Sequence, residues 1–148
     1  MREGDDLAAL LAEAAQFEKD DVLVVSHKVV SKAEGRVVRG EKLDVVLAEA
    51  SRIVRRRESF VIAETRHGFV CASAGVDASN APEPGTLVLL PIDPDESARR
   101  LHKALGVAVV ISDSFGRPWR RGTMDVAIGV AGLAPLLDLR GVRDRAGY

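Results

Sequence analysis

The run Val107-Ala108-Val109-Val110-Ile111 constrains this chain more than any other segment. It is the most strand-like stretch, and it empties into Ser112-Asp113-Ser114-Phe115-Gly116-Arg117-Pro118-Trp119-Arg120-Arg121-Gly122. Five residues this rich in β-branched side chains predict a buried strand that ends at Asp113. An Asp at the end of a buried strand can offer a hard carboxylate oxygen to Mg²⁺ or Mn²⁺. The loop after it can bring guanidinium forks to anionic oxygens. The same residues also read as a polar strand-end turn with surface arginines, and the segment alone does not choose between the two.

The rest of the chain alternates helix and strand signals. Asp6 caps a helix predicted through Phe17, because Leu7, Leu10, Leu11 and Ala14 fall on one face. Val22 to Val25 reads as a buried strand. Leu43 to Arg56 has helical spacing, with Leu43, Val46, Leu47, Ala50, Ile53 and Val54 on its apolar face and arginines at its C-terminal end. Phe60 to Ala63 and Phe69 to Ala72 form a predicted hairpin around Glu64-Thr65-Arg66-His67-Gly68. Leu87 to Leu90 is a further strand. Asp93 caps, and Pro94 opens, a helix that runs through Leu105. A Gly- and Ala-rich element follows from Thr123 to Val130. No repeat or linker divides these elements, so one domain is expected over residues 1–148. The predicted class is α+β, a mixed β-sheet with flanking helices.

Composition limits what such a domain does. The chain has 148 residues, 47% hydrophobic and 29% charged, a balance that supports a packed core. Its formal charge of -1 argues against a broadly basic nucleic-acid binder, and any anion contact must be local. Cys71 is the single cysteine, so neither an intrachain disulfide nor a Cys-rich zinc site can form. The acidic start Met1-Arg2-Glu3-Gly4-Asp5-Asp6 lacks the order of a secretory signal. The weakly polar run from Val126 to Leu137 is shorter than the roughly 20 residues a membrane helix needs. A cytoplasmic protein without a membrane segment is expected.

Two further segments carry polar groups at strand exits. After Val22–Val25 come Ser26-His27-Lys28-Val29-Val30-Ser31-Lys32. If a helical turn starts there, Lys28 and Lys32 share a face and can approach a phosphate, although two solvated lysines explain the spacing as well. Ala74-Gly75-Val76-Asp77-Ala78-Ser79-Asn80 surrounds one carboxylate with small residues, which permits close backbone approach, or equally an Asx turn. In layered α/β structures strand ends can converge on one crevice. Neither a Walker loop nor a Gly-x-Gly-x-x-Gly fingerprint is present, so a nucleotide site here is of another type.

These segments resemble the coenzyme F420-0:L-glutamate ligases, also called F420 gamma-glutamyl ligases. The blocks are Val29-Val30-Ser31-Lys32-Ala33-Glu34-Gly35-Arg36, Glu64-Thr65-Arg66-His67-Gly68-Phe69-Val70, Ala74 to Asn80 and Ser112 to Arg120, in the family order. Leu90-Pro91-Ile92-Asp93-Pro94-Asp95 and Ala127-Ile128-Gly129 extend the match. The resemblance implies a GTP-dependent ligase that adds L-glutamate to coenzyme F420-0, first by an amide and then by a gamma-glutamyl link, through an acyl phosphate. It implies two divalent ions, Mg²⁺ or Mn²⁺, with K⁺ as an optional addition, and a homodimer. By motif matching, Asp77 and Asp113 are the expected catalytic carboxylates and metal ligands, with Ser114 adding an oxygen where the family often has Thr. Lys32 and Asn80 are expected GTP contacts, and His27 stands at a nucleotide-contacting position where relatives vary. Arg117 and Arg120 suit phosphates or the acidic substrate by their loop position, and surface salt bridges would account for them equally.

The chain also departs from the pattern. Relative to the family it reads as shortened at both ends, without the upstream Leu-Pro turn or the segment that follows Tyr148. The connections at Gly40-Glu41-Lys42, Arg57-Glu58-Ser59 and Leu105-Gly106-Val107 read as short. A non-catalytic GTP- and metal-binding fragment, or an amide ligase acting on another carboxylate, are the alternatives this leaves. An acyl-phosphate route needs no thiolate and no histidine nucleophile, so His67 and Cys71 are assigned to structure, and Phe115 and Trp119 to packing.

Overall fold

The computed structural model describes residues 1–116, 119 and 121–147. It has the mixed sheet and flanking helices of an α+β fold. Strand β1 (Val22–Ser26) pairs in parallel with β7 (Ala108–Gly116), and β7 pairs antiparallel with β8 (Thr123–Ala131), in the order β1-β7-β8. A three-stranded antiparallel sheet holds β3 (Ala50–Arg57), β4 (Phe60–Thr65) and β5 (Val70–Ala72), and a ribbon joins β2 (Val37–Arg39) to β6 (Thr86–Val88).

Helices α1 (Leu7–Ala14), α2 (His27–Ala33), α3 (Lys42–Glu49) and α4 (Pro94–Leu105) lie between the strands. Each well-defined start has its chemical cause. The Asp93 side chain accepts from the Glu96 N–H at 2.8 Å, Pro94 opens α4 without needing a donor, and Gly106 closes it at a φ of 75°. Asp6 caps α1 by accepting from the Ala9 N–H at 3.0 Å. That helix stops at Ala14, three residues before the predicted Phe17. Ala15 leaves the helix with an extended backbone, and only Leu7 of the helix is buried, so little packing favours a further turn.

Two cores hold the elements together. Val25, Val30, Ala98, Leu101, Val109, Ile111 and Ile128 pack between the first sheet and α1, α2 and α4. Val46, Val61, Ala63, Val76, Leu87 and Leu89 pack beneath α3 and the β3-β4-β5 sheet. Burial of a full Ile or Val side chain contributes about 1.5–3 kcal/mol, so Val109 and Ile111, both 0% exposed, anchor β7 firmly. Asp113 and Phe115 follow on the same face of β7 by the two-residue alternation.

Three sequence expectations are corrected. The helix predicted over Leu43–Arg56 ends at Glu49, and Arg55, Arg56 and Arg57 belong to β3 instead. Ile53 and Val54 are β-branched and suit a strand, and the ladder from Ala50↔Thr65 to Arg57↔Phe60 takes in Ile53, with Val54 at a break in register. Next, β1 is not buried on both faces: Val25 is covered, whereas Val22 and Val24 are 53% and 61% exposed. It is an edge strand with one open face. Finally, β7 does not end at Asp113. Its ladder with β8 continues to Gly116↔Thr123, so Asp113 and Ser114 sit inside a strand, the Asp113 carboxylate satisfied on the core-side face by His27 and the Ser114 N–H, and Ser114 on the more open face. Among the described residues, no helix is long and apolar enough to cross a membrane.

Candidate active site

A cleft of about 250 Å³ lies between the Cys71–Asp77 segment and the second half of β7. Asp77, Asp113 and Ser114 all line it, beside Cys71, Ser73 and Gly75. Of the three segments expected to converge, two reach this cleft, through Asp77 and through Asp113 with Ser114.

Asp77 is fixed first by its backbone. Its N–H donates to the Val88 carbonyl at 3.0 Å, and its carbonyl accepts from the Val88 N–H at 2.8 Å, which ties it to β6. Its carboxylate accepts from the Ser79 N–H at 2.8 Å, the Asx turn foreseen for this segment, and from the Ser79 hydroxyl at 2.8 Å. Lys28 Nζ lies 2.5 Å from Asp77 Oδ2 and 2.6 Å from Ser79 Oγ. Burial alone would raise the Asp77 carboxyl, but the bonds from Lys28 and Ser79 outweigh it and bring its pKa down to about 2.

The folded Asp77 carboxyl titrates below its ordinary value of 3.8, so the pairing stabilises the fold above that pH and is lost as pH falls to about 2. The Lys28→Met variant removes the ammonium and keeps the burial. In a carbon-detected NMR titration the Asp77 pKa is expected to rise to the ordinary range or beyond it. An unchanged midpoint would show that Lys28 does not hold this carboxylate in solution.

Asp113 is held from the other side. Its Oδ1 accepts from the Ser114 N–H at 2.8 Å and lies 3.2 Å from His27 Nε2. The first residue of α2 is thus brought to β7, since Ser26 pairs with Ser112 in the parallel register. His27 is only 1% exposed, so its ring offers no open face to a nucleotide, and the position expected to contact one touches Asp113 instead. Just before this point, Ile111 pairs with Gly129 and Ser112 with Ala127, which leaves Ile128 as a β-bulge. A bulge twists its strands locally and re-aims the side chains beyond it.

Ser114 lies on the alternate face of β7 from Asp113. Its hydroxyl donates to Asp125, the residue opposite it on β8. Asp125 is a partner of Ser114 that sequence reasoning missed. Only the β7–β8 register reveals it, because nothing in Thr123–Val130 marks one Asp before its partner strand is known.

The remaining expectations divide. Lys28 and Lys32 do lie on one helix, but Lys28 reaches Asp77 while Lys32 lines a different hollow with Met1, Arg2, Glu3 and Pro82. Asn80, at a φ of 56°, lines a third hollow with Gly40, Ala78 and Glu83. The structure does not bring Lys32 or Asn80 into the Asp77–Asp113 cleft. Arg117 and Arg120 lie outside the described residues. A Cβ at Gly75 would sit 2.7 Å from the Leu90 side chain, so its small size serves packing on that side.

Cys71 and His67 hold structural positions. Burial first, then the Asp113 charge, push the Cys71 thiol up to about 11, against a hydrogen bond from Gly75 that lowers it. A thiol that stays protonated at neutral pH is a poor nucleophile. His67 Nε2 lies 3.0 Å from the Ile92 carbonyl and ties the hairpin turn to the start of α4. Phe115 packs on Phe69 with ring centroids 6.1 Å apart, whereas Trp119 is 99% exposed and does not pack.

The donor set is one of hard oxygens. Among the described residues no three His, Cys, Asp or Glu side chains form a ready-made metal cage. Mg²⁺, however, is commonly bound by one or two carboxylates, completing its octahedron with water and phosphate oxygens, and Asp77 and Asp113 supply that number. The residues therefore fit a hard divalent cation brought with a phosphate ligand.

The whole chain, residues 1–148, matches the sequence profile of the family described as F420-0:Gamma-glutamyl ligase. It is 45% identical, over 173 aligned positions, to the coenzyme F420:L-glutamate ligase of Methanopyrus kandleri, covering 99% of this chain and 68% of that protein. The protein of the same name from Methanothermobacter thermautotrophicus is 41% identical over 175 positions, 97% of this chain and 69% of the relative. That from Natronomonas pharaonis is 41% identical over 172 positions, 99% and 68% respectively. These alignments are longer than the 148-residue chain, so the relatives carry internal residues without a counterpart here.

Proposed function

The chain belongs to the F420-0:gamma-glutamyl ligase family, and from that premise we propose that it joins L-glutamate to coenzyme F420-0 at the expense of GTP. The names of its relatives support glutamate ligation. The observation that carries the site is the meeting of Asp77 and Asp113, from segments far apart in the chain, on one cleft.

In the proposed reaction a carboxylate oxygen of the precursor takes the γ-phosphoryl group of GTP, releasing GDP and forming an acyl phosphate. The glutamate amine attacks the acyl carbon, the bond to phosphate breaks, and inorganic phosphate leaves with an amide in place. Asp77 and Asp113 would hold Mg²⁺ or Mn²⁺, which when bound neutralises charge developing on the transferred phosphoryl group. The protein's own groups do the positioning. Lys28 keeps Asp77 ionised and oriented until a competing cation arrives, and the protonated Cys71 leaves acyl transfer to the glutamate amine. Lys32 and Asn80 would contact the nucleotide from the neighbouring hollows.

The test is mass spectrometry of the products after incubation with coenzyme F420-0, L-glutamate, GTP and Mn²⁺. Glutamate adducts that require GTP are expected, and their absence with active relatives run in parallel would refute ligation by this chain. The separation of Lys32 and Asn80 from the cleft favours one second reading, a unit that binds GTP and metal without turnover. Calorimetry showing Mn²⁺-dependent GTP binding with no product would select it.

A further inference from the structure

We infer that His27 is a positioning residue that presents Asp113 to the divalent cation, with Ser31 fixing the orientation of its ring. The inference rests on the reading of Asp113 as a metal ligand given above.

The parallel pairing of β1 with β7 ends at Ser26↔Ser112, and the next residue on each strand is His27 and Asp113. Ser26 caps α2 at this point, its hydroxyl accepting from the Lys28 N–H at 3.4 Å, so His27 is the first residue of a helix started beside β7. Its Nε2 faces Asp113 Oδ1 at 3.2 Å. An ionised carboxylate only accepts, so Nε2 carries a hydrogen towards Asp113, and the ring's Nδ1 lies 3.5 Å from the Ser31 hydroxyl, which can donate to it or accept from it. Both His27 and Ser31 are buried, at 1% and 0% exposure. A buried ring between two partners cannot turn freely.

The consequence falls on Asp113. Its Oδ1 accepts from His27 and from the Ser114 N–H, whereas no described residue donates a hydrogen bond to Oδ2. One oxygen is pinned and the other is offered. Side chains behind a metal ligand do this generally, and removing them typically costs about 10–100-fold in metal affinity. A histidine that merely filled the core would need neither this contact with a cleft carboxylate nor a hydroxyl one turn on.

The experiment measures Mn²⁺ affinity of the whole chain by electron paramagnetic resonance, with folding followed by circular dichroism. The variants are His27→Leu, His27→Gln, Ser31→Ala and Asp113→Asn. His27→Leu, apolar and unable to donate, is expected to weaken Mn²⁺ binding by about 10–100-fold. His27→Gln, whose amide can donate, should recover most of that loss. Ser31→Ala keeps the imidazole and frees its orientation, so a smaller loss is expected, and this variant carries the test if His27→Leu does not fold. Wild-type affinity in His27→Leu, or in Ser31→Ala should the other not fold, overturns the inference while the metal site stands. If Asp113→Asn binds Mn²⁺ as the wild type does, or the wild type binds none, the metal reading of Asp113 fails and the inference falls with it.

Discussion

Asp113→Asn is expected to reduce glutamate addition by at least about a thousand-fold, or about 4 kcal/mol of transition-state stabilisation, with the fold intact. The substitution keeps shape and volume. Because His27 Nε2–H and the Ser114 N–H both donate to Oδ1, the Asn carbonyl must take that place, and its NH₂ group then points where a cation would bind. A pair of amide hydrogens repels a divalent ion that a carboxylate oxygen attracts. Initial rates of adduct formation, measured by mass spectrometry beside a thermal melt, check the result. Rates equal to wild type would remove Asp113 from the metal site.

The second large effect concerns packing. Gly129→Ala is expected to destabilise the protein by about 3 kcal/mol or more, lowering the melting midpoint by about 10 °C. A Cβ at Gly129 would fall on the Pro94 main chain and sit 2.8 Å from Pro94 Cβ, and the main chain at the start of α4 has no side chain to swing aside. The contact also explains why α4 begins where it does: Asp95 accepts from the Val130 N–H at 2.8 Å, so helix and strand are fastened at one point. Gly116→Ala is the control. No described residue lies within 4 Å of its Cβ position, and a change within about 0.5 kcal/mol is expected from calorimetry. Equal melting points for the two variants would show that α4 does not bear on β8 as described.

Local chemistry announced some elements well. Asp93 and Pro94 each impose a backbone condition on their own, so α4 was readable to the residue at its start, and it runs to Leu105 as expected. The helix expected over Leu43–Arg56 failed because its apolar spacing is satisfied as easily by half a helix and a strand. Only pairing with β4 decides, and that information lies outside the segment. At the site, Asp77 and Asp113 were visible through their family blocks, and the structure adds that they share a cleft. Asp125 and the His27–Asp113 contact were not visible, since both depend on strand register between distant segments. Lys32 shows the opposite failure: helical spacing predicted a shared face with Lys28 correctly, yet one turn of separation gave each lysine a different neighbour.

The parallel pairing of β1 with β7 also governs how the chain is made. Residues 22–26 leave the ribosome long before residues 108–112 exist, so β1 has no ladder partner until most of the chain is synthesised. At usual elongation rates that interval is roughly 4–20 s. During it, Val22-Leu23-Val24-Val25 is a nascent apolar edge open to pairing with any other chain. The run is bracketed by Glu18-Lys19-Asp20-Asp21 on one side and Lys28 on the other, charges in the positions where gatekeepers suppress aggregation. The lysine that orders Asp77 in the finished protein thus guards a strand end while the protein is still being made.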